Sequence, residues 1–392
     1  MEYQLTDSVK SFVKWLIKRI SEWHLPKPKE ADGDVKRLLI IRIDAIGDFV
    51  IFSGVLPYYR ELYSKGKWHI TLLANKSWLS LAERCPFIDE IIPFNNRKFT
   101  RDIYYRRNLI KQLRAKGFDT AIYPTYSRNS FGDDFIRLSG AKEKIGYDGD
   151  YRQTKPKQKL KNNKHYTRLI PATKGILHEV ERNRDFVHAL GSKIEAIPCP
   201  TLWIMEEDEE LAKKILESND INDGKPFAVF FPGASSPKRF WSIPNYAELA
   251  NQLVKKYNVS IAVCGSSNEQ LIFEKIQANT DVPLINLVGK TSLPILGALI
   301  RHSRIYIGSE TSGVHIATAV GTPAICILGG GHFGRFLPYP NGIGDKTIAV
   351  YKEMDCFGCN WKCIHETILC IQDISVEEVY NKLSYILNLP RI

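Results

Sequence analysis

The stretch RIYIGSETSGVHIATAVGTPAICILGGG, residues Arg304–Gly331, decides the fold. A β-branched apolar run at Ile305–Ile307 ends in Gly308, and small polar residues follow. Val314, Ala317 and Val320 then recur at helical spacing. Gly321-Thr322-Pro323 stops that helix, and Ala324–Leu328 reads as the next buried strand. The unit is strand–loop–helix–strand, and open parallel α/β sheets bind ligands beyond the carboxyl ends of such strands. The free N–H groups and positive dipole end of the helix favour an anion around Thr311–Gly313. The plainer alternative is an ordinary helix start capped by Ser309 or Thr311.

Outward from this unit, strand and helix patterns alternate in two blocks. The first block opens with the buried-strand pattern Arg37–Ile43, the loop Asp44–Asp48 and a helix over Phe49–Tyr63. Strands at His69–Ala74, Ile88–Phe94 and Phe118–Tyr123 follow, with a helix at about Ile103–Lys116. The second block begins near Cys199, with a strand at Phe227–Phe231 and helices near Tyr246–Lys256, Glu269–Gln277 and Pro294–Arg301. The alternation predicts two parallel sheets covered on both faces, with a cleft between the two halves.

The chain has 392 residues and a formal charge of +11, long enough for two such domains and basic enough to favour an anionic partner. No apolar run approaches the ~18 residues of a membrane span, and the first residues carry no secretion pattern, so a cytoplasmic protein is expected. Ser11–Leu25 places Phe12, Leu16, Ile20 and Trp23 on one helical face and Lys10, Lys14, Lys18 and Arg19 opposite. Such a helix either lies on an anionic membrane or packs on its own protein. Tyr151–His178 contains no acid and many lysines, a composition that predicts a mobile solvated loop. Zincin, P-loop and G-x-G-x-x-G patterns are absent, which argues against those protease, ATPase and dehydrogenase classes. Asp32-Gly33-Asp34 and Asp148-Gly149-Asp150 read as turns rather than D-x-D metal sites.

Lys238 and Arg239, after the small-residue loop Pro232–Ser236, suit a diphosphate clamp or plain surface solvation. Asp48 would either cap its helix or accept a proton from an attacking hydroxyl, with Asp44 as a second candidate. Cys85, Cys199, Cys264 and Cys326 are scattered, whereas Cys356, Cys359, Cys363 and Cys370 form C-x₂-C-x₃-C-x₆-C. That spacing would suit a structural zinc, free thiols or an adventitious disulfide.

The blocks RLLIIRIDAIGDFVIFSGVLPYYREL, HEVERN, PGASSPKRFW followed by YAELA, NLVGKTSLPILGALI and GSETSGVHIATAVGTP lie in one order over Arg37–Leu387. Together they resemble the family 9 glycosyltransferases, the heptosyltransferases of lipopolysaccharide synthesis and their relatives. The resemblance implies an α/β GT-B fold of two Rossmann-like domains facing a central cleft. Here an N-terminal helix and hinge (1–35) would precede an acceptor-binding domain (36–190) and a nucleotide-sugar-binding domain (191–392). It also implies inverting, metal-independent transfer, typically from ADP-heptose, to a lipopolysaccharide core or related anionic glycan. No cofactor would be required, structural zinc aside, and nucleic acid is not an expected partner. The enzyme would be cytoplasmic, peripheral at a membrane surface.

By position, Gly47-Asp48 matches the family's Gly-Asp pair, whose aspartate is thought to be the general base. Arg239, or Lys238, matches the basic residue on the diphosphate, with Ser235 beside it. Thr311 and His315 match the Asp-Thr-Gly-x-x-His pattern, while Glu310 and Ser312 replace its Asp and Gly. Gly313 and Glu269 complete the expected donor contacts. Asp44, Gly47, Lys155, Lys157, Lys159 and Lys161 are the expected acceptor contacts. The rivals are a GT-B nucleotide-sugar epimerase and a catalytically silent glycan- or membrane-binding relative.

Overall fold

In the computed structural model, which describes residues 7–30, 33–221 and 226–387, Arg304–Gly331 forms the strand–loop–helix–strand unit expected of it. The chain divides into two compact units. Unit 1 comprises residues 1–45, 56–173 and 182–195, and unit 2 comprises 46–55, 174–181 and 196–392.

Unit 1 holds a six-stranded parallel sheet in the order β3-β2-β1-β4-β5-β6. Its strands are β1 (Lys36–Arg42), β2 (Trp68–Asn75), β3 (Glu90–Phe94), β4 (Thr120–Tyr123), β5 (Glu143–Tyr147) and β6 (Arg168–Ile170). Leu38–Ile41 are fully buried because helices cover both faces of the sheet. Phe94, Phe99 and Phe135 meet edge-on or tilted, at centroid separations of 4.8–5.4 Å, in the core.

Unit 2 holds a second six-stranded parallel sheet, in the order β12-β11-β10-β7-β8-β9. Its strands are β7 (Phe227–Phe231), β8 (Ser260–Val263), β9 (Ile285–Asn286), β10 (Ile305–Ser309), β11 (Ala324–Ile327) and β12 (Thr347–Val350). Burial of Ile305 and Ile307 in the central β10 stabilises the fold by roughly 1.5–3 kcal/mol per side chain. The final helix, Val376–Leu387, closes one face through Val379 and Leu383.

Two local expectations are corrected. Phe49–Tyr63 is not one helix but two, Ile46–Ser53 and Leu56–Leu62. Between them Gly54 meets the backbone of Pro198 and Cys199 so closely that a Cβ would stand 3.2 Å from the Pro198 carbonyl oxygen. The basic run after Tyr151 is not a solvated loop. It contains the helix Pro156–Asn163 and the strand β6. Lys159 turns inward there, 4 % exposed, and its ammonium donates to the Gly149 carbonyl at 2.5 Å. Pro156 at the first helical turn starts this helix, and Lys155, Lys157 and Lys161 stay exposed. Of the N-terminal segment 1–35, residues 1–6 and 31–32, including Asp32, lie outside the described residues, as does the side chain of Lys10.

Candidate functional site

In unit 2 the strand order reverses between β7 and β10, so the loops after these two strands flank a topological switch point, the usual ligand position in an open α/β sheet. The loop after β7 carries Gly233, Ser235, Lys238 and Arg239, and the loop after β10 carries Glu310 and Thr311. The backbone of β10 must pass close to β7. A Cβ on Gly308 would stand 2.7 Å from the Phe231 carbonyl oxygen.

The helix Ser312–Ala319 starts at Thr311 without a side-chain cap, so no capping hydroxyl occupies its first N–H groups. The Ser309 hydroxyl faces the Tyr246 phenol and Thr311 faces the Tyr306 phenol. Of the two sequence alternatives, the capped helix start is the one this geometry disfavours.

Glu310 is 3 % exposed, and its Oε2 has no hydrogen-bond partner among the described residues. Burial raises its carboxyl to about 7, and the opposing charge of Arg239 only partly offsets that. Arg239 reaches back over this strand end. It donates to the Glu310 carbonyl at 3.2 Å, lies 3.5 Å from His332 Nδ1 and stacks 4.9 Å over the Trp361 ring. Lys238 donates to the Trp361 carbonyl at 2.7 Å. Trp361 therefore props both basic residues, and neither it nor His332 was singled out by the sequence.

His315 is buried on the helix Ser312–Ala319, with Nδ1 2.7 Å from the Tyr339 hydroxyl. Burial, then the charges of His178 and Arg239, holds its imidazole down at about 3, so it is neutral. The helix Ile46–Ser53 belongs to the same unit and lies against this ring. A Cβ on Gly47 would stand 3.0 Å from His315 Cδ2. Asp48, half-buried in the first turn of that helix, is thereby set beside the helix Ser312–Ala319. His178 is also buried and neutral, lowered to about 4. Its Nε2 donates to the Phe336 carbonyl at 2.6 Å, and its Nδ1 accepts from Val180 N–H at 3.1 Å.

Glu269 lies across the ends of β7 and β8, and its carboxylate fills the space that a Cβ on Gly233 or Gly265 would need. It accepts from Ser266 N–H at 2.6 Å and from the Ser266 hydroxyl at 3.0 Å. Asp44 is in unit 1 and forms an ion pair with the buried Arg42 at 2.9 Å, and Thr125 donates to it at 3.4 Å. These residues mark the switch point between β1 and β4.

Cys356, Cys359, Cys363 and Cys370 line one cavity with His365 and Trp361. All four are free thiols, and Gly330 N–H donates to Cys370 Sγ at 3.5 Å. Among the described residues no three such side chains stand together closely enough to hold a metal ion. As placed, these side chains do not fit a zinc ion, one of the three readings that their spacing allows.

A sequence model of glycosyltransferase family 9 (heptosyltransferase) matches residues 106–362. The chain belongs to glycosyltransferase family 9. This glycosyltransferase is 27% identical over 321 residues to the lipopolysaccharide core heptosyltransferase OpsX of Haemophilus influenzae, covering 81% of this chain and 85% of that one. It is 25% identical to lipopolysaccharide heptosyltransferase 3 of Escherichia coli K12, with 79% and 87% covered. Its fold matches a family 9 glycosyltransferase from Veillonella parvula at a TM-score of 0.72 and 18% identity, over 91% of this chain and 99% of that one. It also matches the ADP-heptose lipopolysaccharide heptosyltransferase II of E. coli at 0.67 and 19% identity, over 90% and 98%. The two-sheet architecture of the glycosyltransferase is thus the GT-B fold. No helix among its described residues is long and apolar enough to cross a membrane.

Proposed function

We propose that this glycosyltransferase moves heptose from ADP-heptose to an anionic lipopolysaccharide-type acceptor with inversion at the anomeric carbon. The observation that carries the reading is the packing of Gly47 on His315, which brings Asp48 next to the anion-favouring start of the helix Ser312–Ala319. Asp48 takes the acceptor hydroxyl's proton as that oxygen attacks the anomeric carbon. The bond to the donor's phosphate oxygen breaks on the opposite face, and the departing diphosphate takes the electron pair. Lys238, Arg239 and the N–H groups of Ser312 and Gly313 stabilise its charge, so the step draws on no metal.

Glu269 and Ser235 are proposed nucleoside-side contacts, while Glu310, Thr311 and His315 shape the sugar pocket. On the acceptor side the reading uses Asp44, Gly47 and the exposed Lys155, Lys157 and Lys161, whereas buried Lys159 holds the Gly149 turn. The heptosyltransferase names of the relatives support the sugar and acceptor class. Structures of an E. coli heptosyltransferase with ADP and with an ADP-heptose analogue support the nucleotide.

The purified chain, given ADP-heptose and a deacylated heptose-free core acceptor, should release ADP and form one new anomer by NMR, with no loss of rate in EDTA. Product with retained configuration would overturn inversion. Release from another nucleotide-sugar only would overturn the donor. Glu310 favours that second outcome at one point only, because it is one methylene longer than the family's Asp and reshapes the sugar pocket.

A further inference from the structure

The helix Asp7–Glu22 is fixed to unit 1 by its polar side. Lys18 pairs with Asp134 at 2.6 Å, and Glu22 pairs with Arg106 at 2.7 Å and Arg137 at 2.9 Å. Arg107 donates to the carbonyls of Trp23 and His24 at the helix end. Only Ile17 and Ser21 are buried among its described side chains. The apolar side is therefore turned away from the protein. Phe12 is 59% exposed, Trp15 54% and Trp23 68%, and Val9, Val13, Leu16 and Ile20 are exposed with them. At 100° per residue these positions make one continuous arc, and Arg19, expected opposite it, instead sits within it beside Trp15. Leaving this much apolar surface in water is unfavourable unless something covers it.

We infer that this helix docks the enzyme onto an anionic lipid bilayer. The charges around the arc point to that occupant. Arg19 is exposed within the arc, 5.7 Å over the Trp15 ring, whereas the acidic Glu22 is paired inward. The helices packed beneath it, Asn96–Arg101 and Ile103–Ala115, contain no acid and expose Arg97, Lys98, Arg101 and Lys111, and Asp102 between them caps the Tyr105 N–H. An aromatic and aliphatic face with a basic rim is what a bilayer's headgroup boundary accommodates. A second copy of the chain would instead set basic rims against each other. The inference rests on the proposed reaction only in that a lipid-linked acceptor gives docking its use, and lipid binding is measured without donor or acceptor.

The test is flotation of the full chain with vesicles of phosphatidylglycerol and phosphatidylethanolamine, against phosphatidylcholine alone. The chain should float with the anionic vesicles, and high salt should weaken this. Leu16→Glu with Trp23→Glu should reduce partitioning at least about tenfold, and Arg19→Gln with Arg97→Gln and Lys98→Gln should reduce it and weaken its salt dependence. As a check needing no substitution, brominated lipid in the anionic vesicles should quench tryptophan fluorescence of the wild-type chain. Absence of quenching, full flotation of the Glu variant, or a dimer that this variant splits without any lipid binding would each overturn the proposal. Transfer to the deacylated acceptor should be unchanged in the Glu variant. Flotation without transfer in any protein would sink the proposed reaction and leave the docking intact.

Discussion

Gly47 meets the imidazole of His315 so closely that an added Cβ would stand 3.0 Å from Cδ2 and 3.7 Å from Nε2. The ring cannot retreat freely, because its Nδ1 is held 2.7 Å from the Tyr339 hydroxyl and the side chain is buried. Gly47→Ala should therefore shift the helix Ile46–Ser53 rather than the ring. Overpacking of this kind costs roughly 1–3 kcal/mol. We expect a lower Tm, and a fall in kcat that exceeds the change in donor Kd. Unchanged kcat with a lowered Tm would separate the contact from the chemistry.

Asp48→Asn keeps the size of the side chain and removes its capacity to take a proton. Turnover should fall on the order of 10²–10⁴-fold with donor affinity nearly unchanged, the pattern of a lost general base. Titration calorimetry with ADP beside steady-state rates makes the comparison. Near wild-type turnover would move the role elsewhere, although Asp44, paired with Arg42 at 2.9 Å, is poorly placed to inherit it.

Lys238 and Arg239 share one support, since the first donates to the Trp361 carbonyl and the second stacks on its ring. Lys238→Ala with Arg239→Ala should weaken ADP binding more than adenosine binding, because only ADP carries the charge they face. Trp361→Ala should produce a smaller loss of the same kind, through displaced rather than deleted cations. Equal losses for ADP and adenosine would place the pair away from the diphosphate.

The central strands of both sheets were legible because buried parallel strands are continuous apolar runs, as at Leu38–Ile41 and Ile305–Ile307, whereas β5, β6 and β12, which carry exposed or half-buried positions, were not. The helix Pro156–Asn163 was not legible, since its buried positions, Lys159 and Asn162, are polar and leave no apolar period. The sequence also put Asp48, Lys238, Arg239 and His315 forward by motif position. It offered no signal for Trp361, His332 or Tyr339, which lie in irregular segments and gain their role from tertiary neighbours only. Nor could periodicity choose between a core and an outward face for the N-terminal helix. The ion pairs of Lys18 and Glu22, made with residues more than a hundred positions away in two of three cases, decide that.

Glu310 supplies the last prediction, a dependence on pH. Its carboxyl is buried, has an unpartnered Oε2, and is raised from 4.5 to about 7. Below pH 4.5 the group is protonated in both the folded and the unfolded chain and contributes no pH dependence. Between 4.5 and 7 the unfolded chain loses the proton first, so stability falls as pH rises, and above 7 the whole penalty is present. That penalty is at most roughly 3.5 kcal/mol, because each tenfold change in proton affinity is worth about 1.4 kcal/mol. Glu310→Gln stays neutral throughout. Its stability advantage over the wild type should therefore be larger at pH 8 than at pH 5, read from urea unfolding at both values. The neutral carboxyl can donate a hydrogen bond to a sugar hydroxyl and the ionised one cannot. Wild-type KM for the donor should consequently change across an inflection near pH 7 that is missing in the Gln variant. If the two proteins keep the same stability difference at pH 5 and pH 8, Glu310 is ionised throughout, and Arg239 outweighs its burial.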